Sequence, residues 1–364
     1  MRRAYLYRLY PTKRQTRALA EQVEEARCLY NAALQERRDA YRKAGVSLNY
    51  YTQAAQLKQA RVDGSLGLSN FSACQDVLRR VDKTFRAFFR RVAHGEKAGY
   101  PRFKPRSRYE SVTFPSYGDG CKLLDTGRVR LQGIGCVKVK LHRPIIGQIK
   151  TVTVKRDAGR WHVCFSVECA PSPLPHSDKT GGIDVGLEVF ATLSDGTRIE
   201  NPRHLKQSLA RLRRAHRKVA RRKRGSTRRR KAVHALQRVH AKVRNRRKDF
   251  HHKTAHTLVT QYGRLFFEKL NVKGLARGFL SRQVHDVAWS AFLAILKYKA
   301  ESAEREARAV EAKGTSQECP CGAPVPKRLG DRWHHCKSCG LSVPRDHASA
   351  LVIKLRGLDE AVRT

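Results

Sequence analysis

The sequence predicts a mixed α/β protein of two or three domains, in which a small β-barrel carrying inserted helices precedes a second α/β unit. Three observations lead there. The 364 residues exceed what one minimal core organises, and a hydrophobic fraction of 40% with 13 Phe, 12 Tyr and 3 Trp supplies apolar surface to bury. Apolar residues recur at helical spacing from about residue 12 to 95, then alternate with a strand's period from about 99 to 170. A proline-rich stretch over 171–179 follows, of the composition that separates domains.

The opening Arg3-Ala4-Tyr5-Leu6-Tyr7-Arg8-Leu9 alternates like a strand and stops at Pro11. Thr12 then stands as an N-cap ahead of Leu19, Val23, Ala26, Tyr30 and Leu34 at helical spacing. A second helix is expected from about Thr52 to Val62. A third starts near Ser69 and presents Val77, Val81, Phe85, Phe88 and Phe89 on one side, and Gly95 ends the helical region. Strands are expected at 137–141, 151–154 and 161–167, and closure by the N-terminal strand would complete the barrel.

Past the linker, 181–186 and 189–193 read as two strands meeting in a turn, with Asp195-Gly196 marking the next one. No acidic residue occurs between Glu200 and Asp249, yet Leu205, Leu209, Leu212 and Val219, then Val233, Leu236, Val239 and Val243, keep a helical apolar stripe on either side of Gly225-Ser226. This predicts a helical hairpin with one packed face and arginines on the others. A helix over 251–262, a strand over 264–270, a helix over 289–303, a strand over 306–312 and a last helix from Asp346 to Leu355 complete the order.

Charge narrows the function. The chain carries 76 Lys and Arg against 31 Asp and Glu, a formal +45. Such a charge repels itself unless a polyanion neutralises it, which implies a large nucleic-acid partner. No run is long and apolar enough for a membrane span and the N-terminus alternates, so the expected placement is cytoplasmic and nucleoid-associated, with no membrane partner. Six cysteines are scattered, whereas Cys319, Cys321, Cys336 and Cys339 cluster at the spacing of a zinc ribbon, with His334 and His335 as alternative donors.

Three carboxylates stand where they are costly. Asp184 lies in an apolar strand, Glu268 follows Leu265-Phe266-Phe267, and Asp346 heads an apolar helix. Singly, each is more often a cap or a turn residue, and Asp346 has the position of a helix cap. Together they suit phosphodiester hydrolysis, which calls for two divalent ions about 4 Å apart between convergent carboxylates. A run of arginines with no compensating Glu, including Arg213, Arg217, Arg221, Arg222 and Arg229, is expected to hold phosphate.

Gly182-Ile183-Asp184-Val185-Gly186-Leu187, Phe266-Phe267-Glu268-Lys269-Leu270-Asn271, Thr315-Ser316-Gln317 leading into paired cysteines, and Arg345-Asp346 before Ala348-Ser349-Ala350 follow one another in order. So do Tyr10-Pro11, Tyr30-Asn31, Phe88-Phe89-Arg90 and Gly99-Tyr100-Pro101-Arg102-Phe103. This succession resembles the TnpB family of transposon-encoded relatives of the type V CRISPR effectors. The resemblance implies a RuvC-like nuclease domain of the RNase H-like fold over 180–315 and 341–364, with a zinc ribbon inserted at 316–340. It also implies a wedge-type β-barrel over 1–10 and 96–172 and a helical recognition domain over 11–95. It gives Asp184, Glu268 and Asp346 the catalytic and magnesium-binding roles, with two Mg2+ ions, and Zn2+ to the four cysteines. A guide RNA from the transposon end and double-stranded target DNA are the implied partners, with one copy of the chain on the RNA. By position, Tyr50 and Gln75 are the candidates for reading a short motif beside the target.

The sequence departs from the family pattern in two places. One residue instead of two separates Cys319 from Cys321, and Pro344 and Ser349 replace the usual Asp and Asn around Asp346. Two other classes stay open: a nuclease-impaired, RNA-guided DNA-binding repressor, and a transposase or resolvase of the same superfamily acting without RNA. An actin-like ATPase turn at Asp184-Val185-Gly186 lacks any companion nucleotide motif.

Overall fold

The computed structural model describes residues 1–328 and 330–362, so residue 329 of the expected ribbon and residues 363 and 364 of the expected nuclease segment lie outside it. The chain divides into two compact units, Met1–Cys169 and Ala170–Thr364. Among the described residues no helix is long and apolar enough to cross a membrane.

The first unit runs β1 (Arg2–Tyr10), α1 (Lys13–Ala44), α2 (Tyr50–Val62), α3 (Phe71–Ala93), β2 (Ser111–Phe114), β3 (Cys121–Leu124), β4 (Arg128–Leu131), β5 (Gly135–Lys140), β6 (Gln148–Asp157) and β7 (Arg160–Glu168). Thr12 caps α1 in a reciprocal box with Gln15, and Gly45 ends it in the left-handed conformation at φ 65°. The strands form one curled antiparallel sheet in the order β2-β6-β7-β1-β5-β4-β3. β1 is its middle strand: Arg2 to Arg8 pair with β7, and Arg8 to Tyr10 pair with β5. It therefore joins two halves of the sheet, and no pairing of β2 with β3 occurs among the described residues.

The alternation read in β1 buries Tyr5, Tyr7 and Leu9 in a core shared with Leu19, Val23 and Tyr30 of α1 and Val77 and Val81 of α3. Helices and sheet in this unit thus pack on a single apolar centre.

The second unit runs β8 (Thr180–Val185), β9 (Val189–Leu193), β10 (Arg198–Glu200), α4 (His204–Ala220), α5 (Thr227–Gln261), β11 (Arg264–Glu268), α6 (Val272–Leu275), α7 (Ser281–Val287), α8 (Trp289–Ser302), β12 (Glu306–Val310), β13 (Trp333–His335), β14 (Ser342–Pro344) and α9 (Arg345–Val362). Its five-stranded sheet has the order β10-β9-β8-β11-β12. β10, β9 and β8 are antiparallel neighbours, whereas β8, β11 and β12 run parallel.

The two faces of this sheet are covered differently, and the strands' two-residue period assigns each side chain to one of them. Ile183 and Phe267 pack with Ala255, Leu258, Phe292 and Leu296 of α5 and α8. Phe266 and Val310 pack with Ile353 of α9 on the other face. Glycine lets α9 approach closely: a Cβ on Gly182 would lie 2.0 Å from the Ala350 carbonyl oxygen, and one on Gly357 would lie 2.1 Å from the Phe266 ring.

The predicted hairpin is present as α4 and α5, with Ser226 capping α5 by accepting the Arg229 N–H at 3.1 Å. α5 runs unbroken for 35 residues, so the helix expected at 251–262 is its second half. No glycine or proline interrupts it, and Asp249 pairs with Lys253 at 2.9 Å across the expected junction.

Candidate active site and cysteine cluster

The parallel register of β11 on β8 opposes Phe267 to Ile183, and the next step along both strands brings Glu268 beside Asp184. Each acid alternates with a residue buried against α5 and α8, so both project to the face covered by α9. On that face Gly182 meets Ala350 of α9. Asp184 lies two residues further along β8 than Gly182, and Asp346 lies one helical turn before Ala350. Both steps advance by about 6 Å, which carries Asp346 to Asp184.

The electrostatics agree with this convergence. Burial, then the carboxylates of Glu268 and Asp346, raise the pKa of Asp184 well above the usual carboxylate range, with Arg345 opposing the shift. Burial also raises Glu268, against a hydrogen bond from Thr315 and the charge of Arg356. Asp346 lies 3.7 Å from the Arg345 guanidinium inside the first turn of α9. The three acids thus share one electrostatic neighbourhood, although their oxygens do not all come within 4.8 Å of one another.

Thr315 and Arg356 are supports that the sequence reading did not assign. The buried Thr315 hydroxyl donates to Glu268 Oε1 and fixes that carboxylate. Arg356 donates to the carbonyls of Glu311 at 3.0 Å and Lys313 at 2.7 Å and pairs with Glu318 at 2.6 Å, anchoring the loop that carries Thr315. Ser349 spends its hydroxyl on the Arg345 carbonyl at 3.1 Å.

The four clustered cysteines converge. Their sulfurs lie within 4.8 Å of one another, and no other group of three or more candidate ligands does so among the described residues. Each knuckle closes with a glycine at positive φ, Gly322 at 86° and Gly340 at 72°, and this turn lets even the one-residue gap between Cys319 and Cys321 aim both sulfurs at one point. Burial pushes Cys319 up to about 12, whereas the Cys339 backbone N–H holds Cys336 down to about 6. Four thiols at this spacing match the donor set and number of a closed zinc site. His335 is exposed, and the buried His334 stands outside the sulfur group.

Of the expected phosphate-binding arginines, Arg213, Arg217, Arg221 and Arg222 are exposed on or just after α4. Arg229 is turned inward: its guanidinium donates to the carbonyls of Val219 at 3.2 Å and Arg222 at 3.1 Å, closing the hairpin turn. In the first unit, the half-buried Tyr50 begins α2 with the Arg79 guanidinium 5.2 Å from its ring centre. Gln75 sits one turn before Arg79 on α3, also half-buried.

Three family models match the chain: one described as "Probable transposase" over residues 162–278, the Cas12f1-like TNB domain over 289–353, and a helix-turn-helix domain over 1–45. The last segment is folded here as β1 and the single long helix α1. A Streptomyces pristinaespiralis protein named "Putative RNA-guided DNA endonuclease" is 34% identical over 307 residues, 82% of this chain and 75% of that protein. The similarly named InsQ of Escherichia coli K12 is 26% identical over 341 residues, 88% of this chain and 83% of that protein. Among solved structures, a Cas12f1-sgRNA-target DNA complex is 14% identical with a TM-score of 0.36, covering 97% of this chain and 99% of the other. With a relative 34% identical over most of both sequences, and with TnpB-like proteins among its further relatives, this chain belongs to the TnpB family.

Proposed function

We propose that the chain is an RNA-guided DNA endonuclease that hydrolyses target phosphodiesters at Asp184, Glu268 and Asp346. The observation that carries this reading is the placement of two acids side by side on parallel strands with a third delivered by the helix crossing them. The strand order β10-β9-β8-β11-β12 is the arrangement expected of an RNase H-like, RuvC-type nuclease domain. The three carboxylates would hold two Mg2+ ions. Those ions, when bound, supply an activated water and neutralise charge on the leaving oxygen. Thr315 orients Glu268, Gly182 admits α9, and Arg345 moderates the anionic charge before a cation arrives. Hydrolysis leaves a 3′-hydroxyl and involves no covalent enzyme intermediate.

The four cysteines would hold Zn2+ as a structural ion that orders the ribbon. The exposed arginines of the α4–α5 hairpin would brace the guide RNA through its backbone, a contact blind to sequence that suits a protein leaving recognition to base pairing. In the first unit, the curled sheet would serve as the wedge-type barrel and the 11–95 helices as the recognition element. Tyr50 and Gln75 would face the motif beside the target. One copy per RNA, acting at the nucleoid, completes the proposal.

Pro344 and Ser349 favour a second reading, an impaired nuclease that occupies DNA without cutting it. One assay decides between them: the complex purified with its own RNA, given magnesium and a randomised target library. The nuclease reading expects cutting beside a defined motif, lost in Asp184→Ala while the RNA stays bound. Cutting by Asp184→Ala at the wild-type rate overturns it, and a wild type that binds target without cutting establishes the second reading.

A further inference from the structure

The stretch between β12 and α9 has little to fold on except its cysteines. Among the described residues from 311 to 344, Cys319 and Cys336 are the only apolar side chains that are buried. The regular structure there is one pair of three-residue strands, β13 and β14. So short a hairpin is marginal by itself, and a metal ion on the four thiolates is the anchor its residues provide.

Both ends of this stretch carry parts of the acid site. At the front, Thr315 donates to Glu268 and stands four residues before Cys319. The residues between are fastened to the chain returning from the first knuckle. The Lys327 ammonium donates to the Ser316 carbonyl at 2.7 Å, and the Gln317 side chain exchanges hydrogen bonds with the Lys327 backbone at 2.6 and 3.0 Å. Glu318, beside Cys319, pairs with Arg356 of α9 at 2.6 Å. At the back, Cys336 directly follows β13, and β14 pairs with β13 and runs without a loop into α9. There the Arg345 N–H donates to the Arg332 carbonyl at 3.0 Å and its guanidinium to the Asp331 carbonyl at 3.3 Å, and Asp346 is the next residue.

Of the three acids, Asp184 is fixed by the central strand of the sheet. Glu268 ends β11 and Asp346 opens α9, so these two are the ones a neighbouring segment can shift. The three acids' oxygens do not all come within 4.8 Å of one another, so cations shared by all of them need those two side chains drawn in. We propose that the cysteine cluster controls the acid site: with zinc on the sulfurs, the two ends of the ribbon hold Thr315 and Asp346 in place, and without it Glu268 and Asp346 drift from Asp184 and magnesium affinity falls. The coupling is reciprocal, so cations at the acids tighten zinc on the cysteines by the same factor. The inference rests on the nuclease reading and deepens it, making soft-metal supply a regulator of cutting.

The test uses the full chain with its RNA, stripped of zinc by a soft-ligand chelator under reducing conditions. Half is reloaded with zinc, and both halves are freed of excess metal. Mn2+ affinity is followed by electron paramagnetic resonance, with Asp184→Ala marking the Mn2+ held elsewhere, and amide exchange is read by mass spectrometry. Stripping should weaken Mn2+ binding by about fivefold or more, and reloading should restore it. Exchange should quicken in 311–318 and 342–349 while β8 and β11 stay protected. Should stripping open the sheet as well, a zinc-loaded chain carrying Glu318→Gln and Lys327→Met decides. Mn2+ affinity lowered about fivefold or more supports the coupling, and affinity within about twofold of wild type overturns it. Equal Mn2+ affinity in stripped and reloaded wild type, or a chain that takes up no zinc, overturns the coupling alone. A zinc-loaded wild type that binds no more Mn2+ than Asp184→Ala overturns the acids as a cation site, and the coupling with them.

Discussion

The geometry of the acid cluster turns on Gly182, which sets how closely α9 crosses the sheet. A methyl group there would lie 2.0 Å from the Ala350 carbonyl oxygen and 2.7 Å from the Lys354 amide nitrogen, both backbone atoms of α9. Ordinary contact begins at 3.4 Å, so the helix must withdraw by the difference, about 1.4 Å. Backbone atoms cannot rotate aside as a side chain can. Asp346 rides on the first turn of the same helix, so it moves away from Asp184. A misplacement of about 1 Å around reacting groups costs about 100-fold in rate, and overpacking of this kind costs about 1–3 kcal/mol of stability. Gly182→Ala is therefore expected to fold with Tm lowered by several degrees, to bind its RNA normally and to cut about 100-fold more slowly. Gly330→Ala, whose Cβ meets nothing within 4 Å, is the matched control. The measurements are initial cleavage rates on a linear target and thermal melts. A folded Gly182→Ala protein that cuts within twofold of wild type would refute the placement of α9 as the source of the third acid.

Four further outcomes rest on other contacts of the same structure. The raised pKa values of Asp184 and Glu268 mean that, above about pH 4 where unfolded carboxylates titrate, these two groups hold more protons in the folded metal-free chain than in the unfolded one. Their contribution to stability should fall as pH rises from there towards neutrality, while histidines buried in the neutral form, His251 among them, contribute in the opposite sense; the Tm difference between Asp184→Asn and wild type in EDTA should therefore grow in favour of the variant as pH rises, and magnesium should raise the neutral-pH Tm of the wild type alone. Elemental analysis should find one zinc per chain, and Cys336→Ser should abolish it and expose the ribbon to proteolysis; a full zinc complement in that variant would contradict four-sulfur ligation. Arg229→Ala loses two hydrogen bonds to the α4 terminus, about 1–2 kcal/mol, and should speed amide exchange around 217–222. Arg217→Ala should instead weaken RNA binding and lower its salt dependence while leaving exchange unchanged.

Much of the fold is legible where one segment carries its own signal. The Thr12 cap, the alternation of β1 and the apolar stripes of α1 and α3 depend on neighbours a few residues apart, and each element forms where those signals stand. The short strands β2, β3 and β4 carry only four residues each, and their state is decided by distant partners, as when Val112 pairs with Val154. The short helices α6 and α7 escaped the reading for a like reason: α7 is held by two residues, Val284 and Val287, which dock into the core formed around Phe292.

For the candidate site, residue type is legible and orientation is not. Asp184 and Glu268 stand out as acids in apolar runs, but only the register that opposes Ile183 to Phe267 brings them together. Arg229 resembles its neighbours in sequence, and the hairpin turn directs it inward.

The most direct test of the central claim is a titration of the purified protein with Mn2+, a spectroscopic substitute for magnesium, followed by electron paramagnetic resonance. Wild type should bind two ions per chain outside the cysteine cluster, and Asp184→Ala, Glu268→Ala and Asp346→Ala should each weaken that binding severely while leaving the fold intact. Binding of undiminished stoichiometry and affinity in any one of these three variants would contradict a site shared by the three acids.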